Sequence, residues 1–218
     1  AGGCNSSTQG FSIGGASPVV AIDKFNFSSN TTASAHGNLT AYLSYAAGNS
    51  SNTDGFASGG HDGAYTSRID KFSFASNVTA TSHGNLSGGN TRGICAAQSS
   101  TTHGYIFGGS GSSHGSYSLY TEKFSFTTYA QSGNIANLSY GCNEPAGHNT
   151  EHHGWRSGGG EGGSPYRSNR ADKISFASDT SWTHTNTLNY IRKAGSGMSS
   201  LTHGYTGGGH VGNPTSLQ

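Results

Sequence analysis

Histidine is the residue type best suited to chemistry in this chain, and there are 11 among 218 residues. Two sets recur at a repeat spacing: His103, His153 and His203, and His36, His83 and His184. Earlier copies of the first position hold Gln9 and Asp54. Gln, Asp and His share hydrogen-bonding capacity rather than metal preference, so these histidines are expected to pair with backbone groups at a hairpin. The densest group is His148, Glu151, His152 and His153. On a strand, 151 and 153 face one way while 148 and 152 face the other; the i, i+4 zinc spacing requires a helix that this segment does not suggest. Acid–lysine pairs also recur, as Asp23-Lys24, Asp70-Lys71, Glu122-Lys123 and Asp172-Lys173. Adjacent strand residues point to opposite faces, so each acid is expected to bond to a neighbouring unit rather than to its own lysine. Gly158-x-Gly160-x-x-Gly163 fits a dinucleotide fingerprint in form only, because no helix follows to hold a pyrophosphate. Cys4, Cys95 and Cys142 have no zinc spacing, and their odd number leaves at least one thiol unpaired within the chain. No Ser-His-Asp set stands out. We assign no catalytic, cofactor-binding or metal residue and expect a non-enzyme without cofactors.

The elements that would position these side chains come from a repeat. A glycine-preceded aromatic leads into a glycine pair at Phe11 (Gly14, Gly15), Phe56 (Gly59, Gly60), Tyr105 (Gly108, Gly109), Trp155 (Gly158, Gly159) and Tyr205 (Gly207, Gly208), in aromatic-to-aromatic steps of 45, 49, 50 and 50 residues. Between them lies a lysine block: Asp23-Lys24-Phe25-Asn26-Phe27, Asp70-Lys71-Phe72-Ser73-Phe74, Glu122-Lys123-Phe124-Ser125-Phe126 and Asp172-Lys173-Ile174-Ser175-Phe176. A third block reads His36-Gly37-Asn38-Leu39 and His83-Gly84-Asn85-Leu86, with degenerate copies at Asn137-Leu138 and Asn186-Thr187-Leu188. In the lysine block the acid and both aromatics share one face, the period-2 pattern of a strand. The glycine-aromatic segment reads as a buried inner strand ending in a turn that needs positive φ or close backbone approach, which makes Tyr105, Trp155 and Tyr205 core residues. Residues 94–97 lead into a hairpin, and 77–86 supply a fourth strand. Four strands in about 50 residues make a propeller blade.

Composition agrees with an all-β chain. Glycine numbers 36, charged residues are 10% and the apolar set is 31%, a poor basis for helical bundles. No 18-residue apolar run is present, so no membrane insertion by a helix is expected. A net charge of +1 offers no global field for nucleic acid. Eight Asn-x-Ser/Thr sequons, Asn49 among them, matter only in a secretory pathway.

The period and the glycine pair after an aromatic strand resemble the kelch repeat. Stretches such as Gly104–Gly109, Ile69–Ser76 and Ala80–Ser87 are similar to units of kelch-like arrays in virion proteins of tailed, particularly marine, bacteriophages. The usual kelch tryptophan appears only as Trp182, and the unit at 105–154 is eroded between Thr128 and Pro145. The expected architecture is a single all-β, kelch-like β-propeller over 1–218. Its repeat units run about 11–55, 56–104, 105–154 and 155–204, with partial units at 1–10 and 205–218. These make four complete blades and a half blade in what reads as a processed product or part of something longer.

The resemblance implies a structural or adhesive module of a bacteriophage virion, at the capsid surface, tail or fibre, and a virion or extracellular location. Expected partners are other virion proteins, copies of the chain itself or a host-surface glycan, with no nucleic acid. The rival expectation is a secreted carbohydrate-binding lectin of β-propeller fold, using the varied loops 110–118 and 160–169. A third, a metal oxidase, requires a bound transition metal.

Overall fold

A computed structural model describes residues 1–15, 19–87, 90–112, 115–163 and 166–211. Parts of both varied loops, 113–114 and 164–165, and the final residues 212–218 lie outside the described residues. The first blade contains β1 (Gly2–Asn5), β2 (Gln9–Ile13), β3 (Val19–Asn26) and β4 (Ser34–Leu43) in that spatial order, and the second β5 (Ala47–Ser50), β6 (Asp54–Ser58), β7 (Arg68–Ser73) and β8 (Thr81–Asn85). After the short β9 (Arg92–Gly93), the third blade contains β10 (Ala96–Ser99), β11 (His103–Phe107), β13 (Ser118–Ser125) and β14 (Gln131–Asn143), with β12 (Ser110–Gly111) paired to β9. The fourth contains β15 (Ala146–Asn149), β16 (His153–Ser157), β18 (Ser168–Ser175) and β19 (Thr183–Lys193). The strands β17 (Gly160–Glu161) and β22 (His210–Val211) add to the outer edges of the third and fourth blades. A two-stranded hairpin, β20 (Ser196–Ser199) and β21 (Gly204–Gly207), stands where a fifth blade begins. All pairings within the blades are antiparallel. The described residues form an all-β propeller of four blades plus a half blade.

The strand carrying the glycine-aromatic segment is second in its blade, not innermost. The innermost strands β1, β5, β10, β15 and β20 touch one another in turn around the axis. They read Gly-Gly-Cys-Asn, Ala-Gly-Asn-Ser, Ala-Ala-Gln-Ser, Ala-Gly-His-Asn and Ser-Gly-Met-Ser. Small residues permit this crowding: a Cβ on Gly48 would overlap the backbone of Gly3, and one on Gly197 that of Gly147.

The glycine before each aromatic has a separate reason. In the first three blades Gly10, Gly55 and Gly104 pair across the sheet with Phe25, Phe72 and Phe124, and the ring lies over the glycine where a Cβ would stand. The turn after the strand takes positive φ at Gly59-Gly60, Gly108-Gly109 and Gly158-Gly159. In the hairpin the positive-φ pair is Gly208-Gly209, at 63° and 90°, while Gly207 belongs to β21. The sequence frame of Gly207-Gly208 is therefore one residue early.

Among the described residues there is no single core. Three apolar layers lie between consecutive blades. Phe11, Ile13, Ile22, Leu39 and Leu43 meet Phe72, Phe74 and Ala80; Phe56, Ile69 and Leu86 meet Ile106, Phe124 and Phe126; Phe107, Leu138 and Cys142 meet Ile174 and Trp182. The eroded stretch of the third unit still forms its fourth strand, with irregular register between Thr121 and Lys123.

Tight non-glycine turns join one blade to the next. Tyr45, Ile94, Glu144 and Ala194 occupy one repeat position with φ of 54°, 57°, 50° and 56°. The Ile94 N–H donates to the Tyr45 carbonyl at 3.2 Å, Glu144 to Ile94 at 2.8 Å and Ala194 to Glu144 at 2.9 Å. This backbone staircase around the axis holds residues, including a β-branched one, in a costly conformation.

Candidate functional site

Each of the first three blades presents a second-strand aromatic to the lysine block of the next. Phe11 stacks on Phe74 with centroids 4.7 Å apart, Phe56 on Phe126 at 4.8 Å and Tyr105 on Phe176 at 4.6 Å, all within 23° of parallel. Lys71, Lys123 and Lys173 lie over Phe56, Tyr105 and Trp155 of their own sheets.

The recurrent acids act across the same interfaces. The Thr40 N–H and hydroxyl donate to Asp70 of the next blade at 2.9 and 2.7 Å, and the Ser139 hydroxyl donates to Asp172. Glu122 takes the Asn90 amide and a buried ion pair with Arg92 at 3.1 Å, both from the preceding blade. Where residue 43 or 142 stands at the Arg92 position, the acid pairs instead with an arginine of its own blade: Arg68–Asp70 at 3.3 Å and Arg156–Asp172 at 2.8 Å. Burial alone would raise the Asp172 pKa. The Arg156 charge and bonds from Ser139, Arg156 and His184 outweigh it and hold the carboxyl below its usual value. Burial keeps Glu122 above the usual range despite Arg92.

The histidines divide by position. His36 bonds to the Ser73 carbonyl and His83 to the Ser125 carbonyl, each 2.7 Å away on the next blade. His184 does not match them: it lies opposite Asp172 and bonds to that carboxylate at 3.1 Å, while Thr185 enters the irregular register position. One residue of slip turns a strand side chain to the other face. His103 and His203 bond to the hydroxyls of Thr102 and Thr202, and their backbone N–H groups donate to Ser100 and Ser200. Their side-chain partners are therefore hydroxyls rather than backbone groups. The 148–153 group does not converge: His148 is buried against Ser157, Thr206 and the Met198 carbonyl, while Glu151 and His152 are exposed. No set of three or more ligand-type residues gathers among the described residues. Burial pushes the Cys95 and Cys142 thiols up to about 11. Asn49 is buried, with its amide bonded to the Gln98 carbonyl, so that sequon is closed to modification in the folded chain.

Two regions depart from the pattern. Phe25 and Phe27, the counterparts of the buried Phe72 and Phe74 in the repeat, are exposed on the first blade. Trp155 is half-buried and Tyr205 is exposed, so neither is the core residue that the sequence pattern implied. Trp155 lines a cleft of about 430 Å³ between the fourth blade and the β20–β21 hairpin, together with Thr185, Thr187, His203 and Thr206. Nearby, Arg192 occupies the Arg92 position. Its Nη1 donates to the Gly208 carbonyl at 3.0 Å, as Arg92 does to Gly108 at 3.3 Å, and the Nε of both is buried without a hydrogen-bond partner; the ion pair that Arg92 makes with Glu122 has no counterpart at Arg192 among the described residues. The sequence pattern named Trp155 and missed Arg192, whose only signal was its spacing of 100 residues from Arg92. A larger cavity, about 1480 Å³, follows the axis along the five innermost strands.

No protein-family profile matches the chain, and no curated protein matches it in sequence. Solved structures do match. One, described as the structure of YjhT, superposes with a TM-score of 0.72 at 12% identity, covering 89% of this chain and 68% of that one. At that identity the likeness concerns the fold, and it agrees with the propeller described above.

Proposed function

We propose that the chain is a non-enzymatic structural or adhesive module, making protein–protein or host-surface contacts as part of a bacteriophage virion. The observation that carries this reading is the use of the recurrent polar side chains: Asp70, Glu122 and Asp172, and His36 and His83, all bond at blade–blade contacts. Their recurrence follows from repeated assembly, whereas a reaction centre needs its groups once. The resemblance to phage arrays supports the virion assignment, and the varied loops after the glycine pairs supply surface on a rigid scaffold.

The carbohydrate-binding reading is favoured by one feature, the half-buried Trp155 in a hydroxyl-lined cleft. Two measurements separate these readings. Mass spectrometry of purified particles should find the chain in multiple copies under the structural reading. A soluble monomer, retained on sugar columns and lost from them on Trp155→Ala, would overturn it in favour of a lectin.

A further inference from the structure

We infer that Asp62 is a self-modification site: the folded chain closes the Asp62 carboxyl onto the Gly63 nitrogen, and the resulting succinimide reopens to an isoaspartyl linkage. The inference is independent of the virion reading, because it rests on one loop of the second blade, between β6 and β7. Asp-Gly occurs twice in the chain, at Asp54-Gly55 and Asp62-Gly63. Glycine matters because no side chain shields its nitrogen from the preceding carboxyl. The two copies stand in opposite surroundings. Asp54-Gly55 lies within β6, where Gly55 pairs with Ser50 on one side and Phe72 on the other, and the Phe72 ring fills the place of a Cβ. The Gly55 nitrogen cannot turn toward the Asp54 carboxyl without opening the sheet. Gly63 is exposed, has φ of 114° and has no atom within 4 Å of its Cβ position.

Two side chains meet the reacting atoms of this second copy. The Gly63 N–H donates to His61 Nδ1 at 3.3 Å, so the imidazole that must receive the amide proton already holds it. Arg68 Nη1 donates to Asp62 Oδ2 at 3.2 Å, on the carboxylate where charge collects as nitrogen adds to Cγ. Both groups are fixed beforehand. The Arg68 guanidinium is held by Asp70 at 3.3 Å and by the carbonyls of Ala41 and Tyr42. The His61 backbone exchanges two hydrogen bonds with Ser44, and its ring meets Tyr65 edge-on. In the first step the Gly63 nitrogen bonds to Asp62 Cγ and its proton passes to His61. One Cγ–O bond then breaks; the oxygen leaves as hydroxide with the proton that His61 returns, and solvent protonates it to water. In the second step water adds to the imide carbonyl made from the main-chain carbon of Asp62. The C–N bond there breaks, and the backbone continues through Cβ and Cγ. Nothing is oxidised or reduced, and water is the only co-reactant.

The test is incubation of the folded 218-residue chain in heavy-oxygen water at neutral pH, followed by peptide mapping with electron-based fragmentation. Isoaspartate and heavy oxygen should accumulate together at Asp62 and stay at background at Asp54. His61→Gln, a change in an accessible loop, should slow the reaction about tenfold. That is short of the roughly 100-fold supplied by an optimised base, because the 3.3 Å bond is long. A synthetic peptide of residues 59–69 carries His61, Asp62, Gly63 and Arg68 without the fold that places them. The folded chain should react faster than this peptide, in which His61→Gln should have no effect. A dipeptide acting through flexibility alone gives the reverse order. A faster peptide, equal rates at Asp54 and Asp62, or a folded rate unchanged by His61→Gln would each overturn the proposal.

Discussion

Phe72 and Phe74 are 2% and 7% exposed, whereas Phe25 and Phe27 are 45% and 55% exposed. The two pairs sit in nearly identical lysine blocks on equivalent strands, and Phe25 and Phe72 each lie over a glycine of the neighbouring strand. They differ in what lies against the sheet: the first blade packs on Phe72 and Phe74, while among the described residues no blade covers Phe25 and Phe27. The acids follow the same rule, for Asp70 is buried under Thr40 and Asp23 is exposed. Stability in this molecule therefore belongs to interfaces rather than to blades, as expected when each repeat buries its apolar face against its neighbours.

Mutations can sharpen or break that comparison. The largest contrast is expected between Phe124→Ala and Phe25→Ala. The first should cost about 3–5 kcal/mol and the second less than about 1 kcal/mol, measured by urea unfolding. Equal losses would mean that the first blade is covered in solution. Next, Arg156→Met leaves Asp172 buried without its arginine and should cost about 3 kcal/mol, while Asp23→Asn should stay within about 0.5 kcal/mol.

A pH series gives a smaller effect. Burial lowers the His148 pKa against the opposing Met198 carbonyl bond. The unfolded chain then takes up the proton first, so stability should fall as pH drops below about 6.5. His148→Gln should flatten that limb. The Asp172 pKa is held low, so its contribution is full above the ordinary carboxyl range and disappears only as pH falls through the depressed folded value. Asp172→Asn should remove that acid limb. The smallest expected effect has the opposite sign: Ile94→Gly should raise stability by up to about 1 kcal/mol, through relief of positive φ at a β-branched residue. A loss instead would show that side-chain packing outweighs the backbone relief.

Much of the architecture was legible in the residues. The glycine–aromatic and lysine blocks located second and third strands, because period-2 patterning and glycine placement are local. The acid's outward reach to another unit was legible for the same reason: adjacent strand side chains cannot share a face. Less legible were positions where one residue of register decides the outcome. Gly207 joins β21 and Gly208-Gly209 make the turn; His184 falls out of the series of His36 and His83. Spacing counted along a chain does not register a bulge. The staircase of Tyr45, Ile94, Glu144 and Ala194 left no compositional trace, since positive φ there falls on four different residue types.

The sequence by itself determined that this protein is an array of four-stranded units, which strands they contain and which residues form each apolar face. Only the tertiary structure decided which faces are covered. It left Phe25, Phe27 and Trp155 apart from their buried counterparts and assigned Arg192 the position that Arg92 fills beside an acid. The physical reason is that period and propensity act within a strand, whereas burial and charge pairing depend on which unit stands next to it.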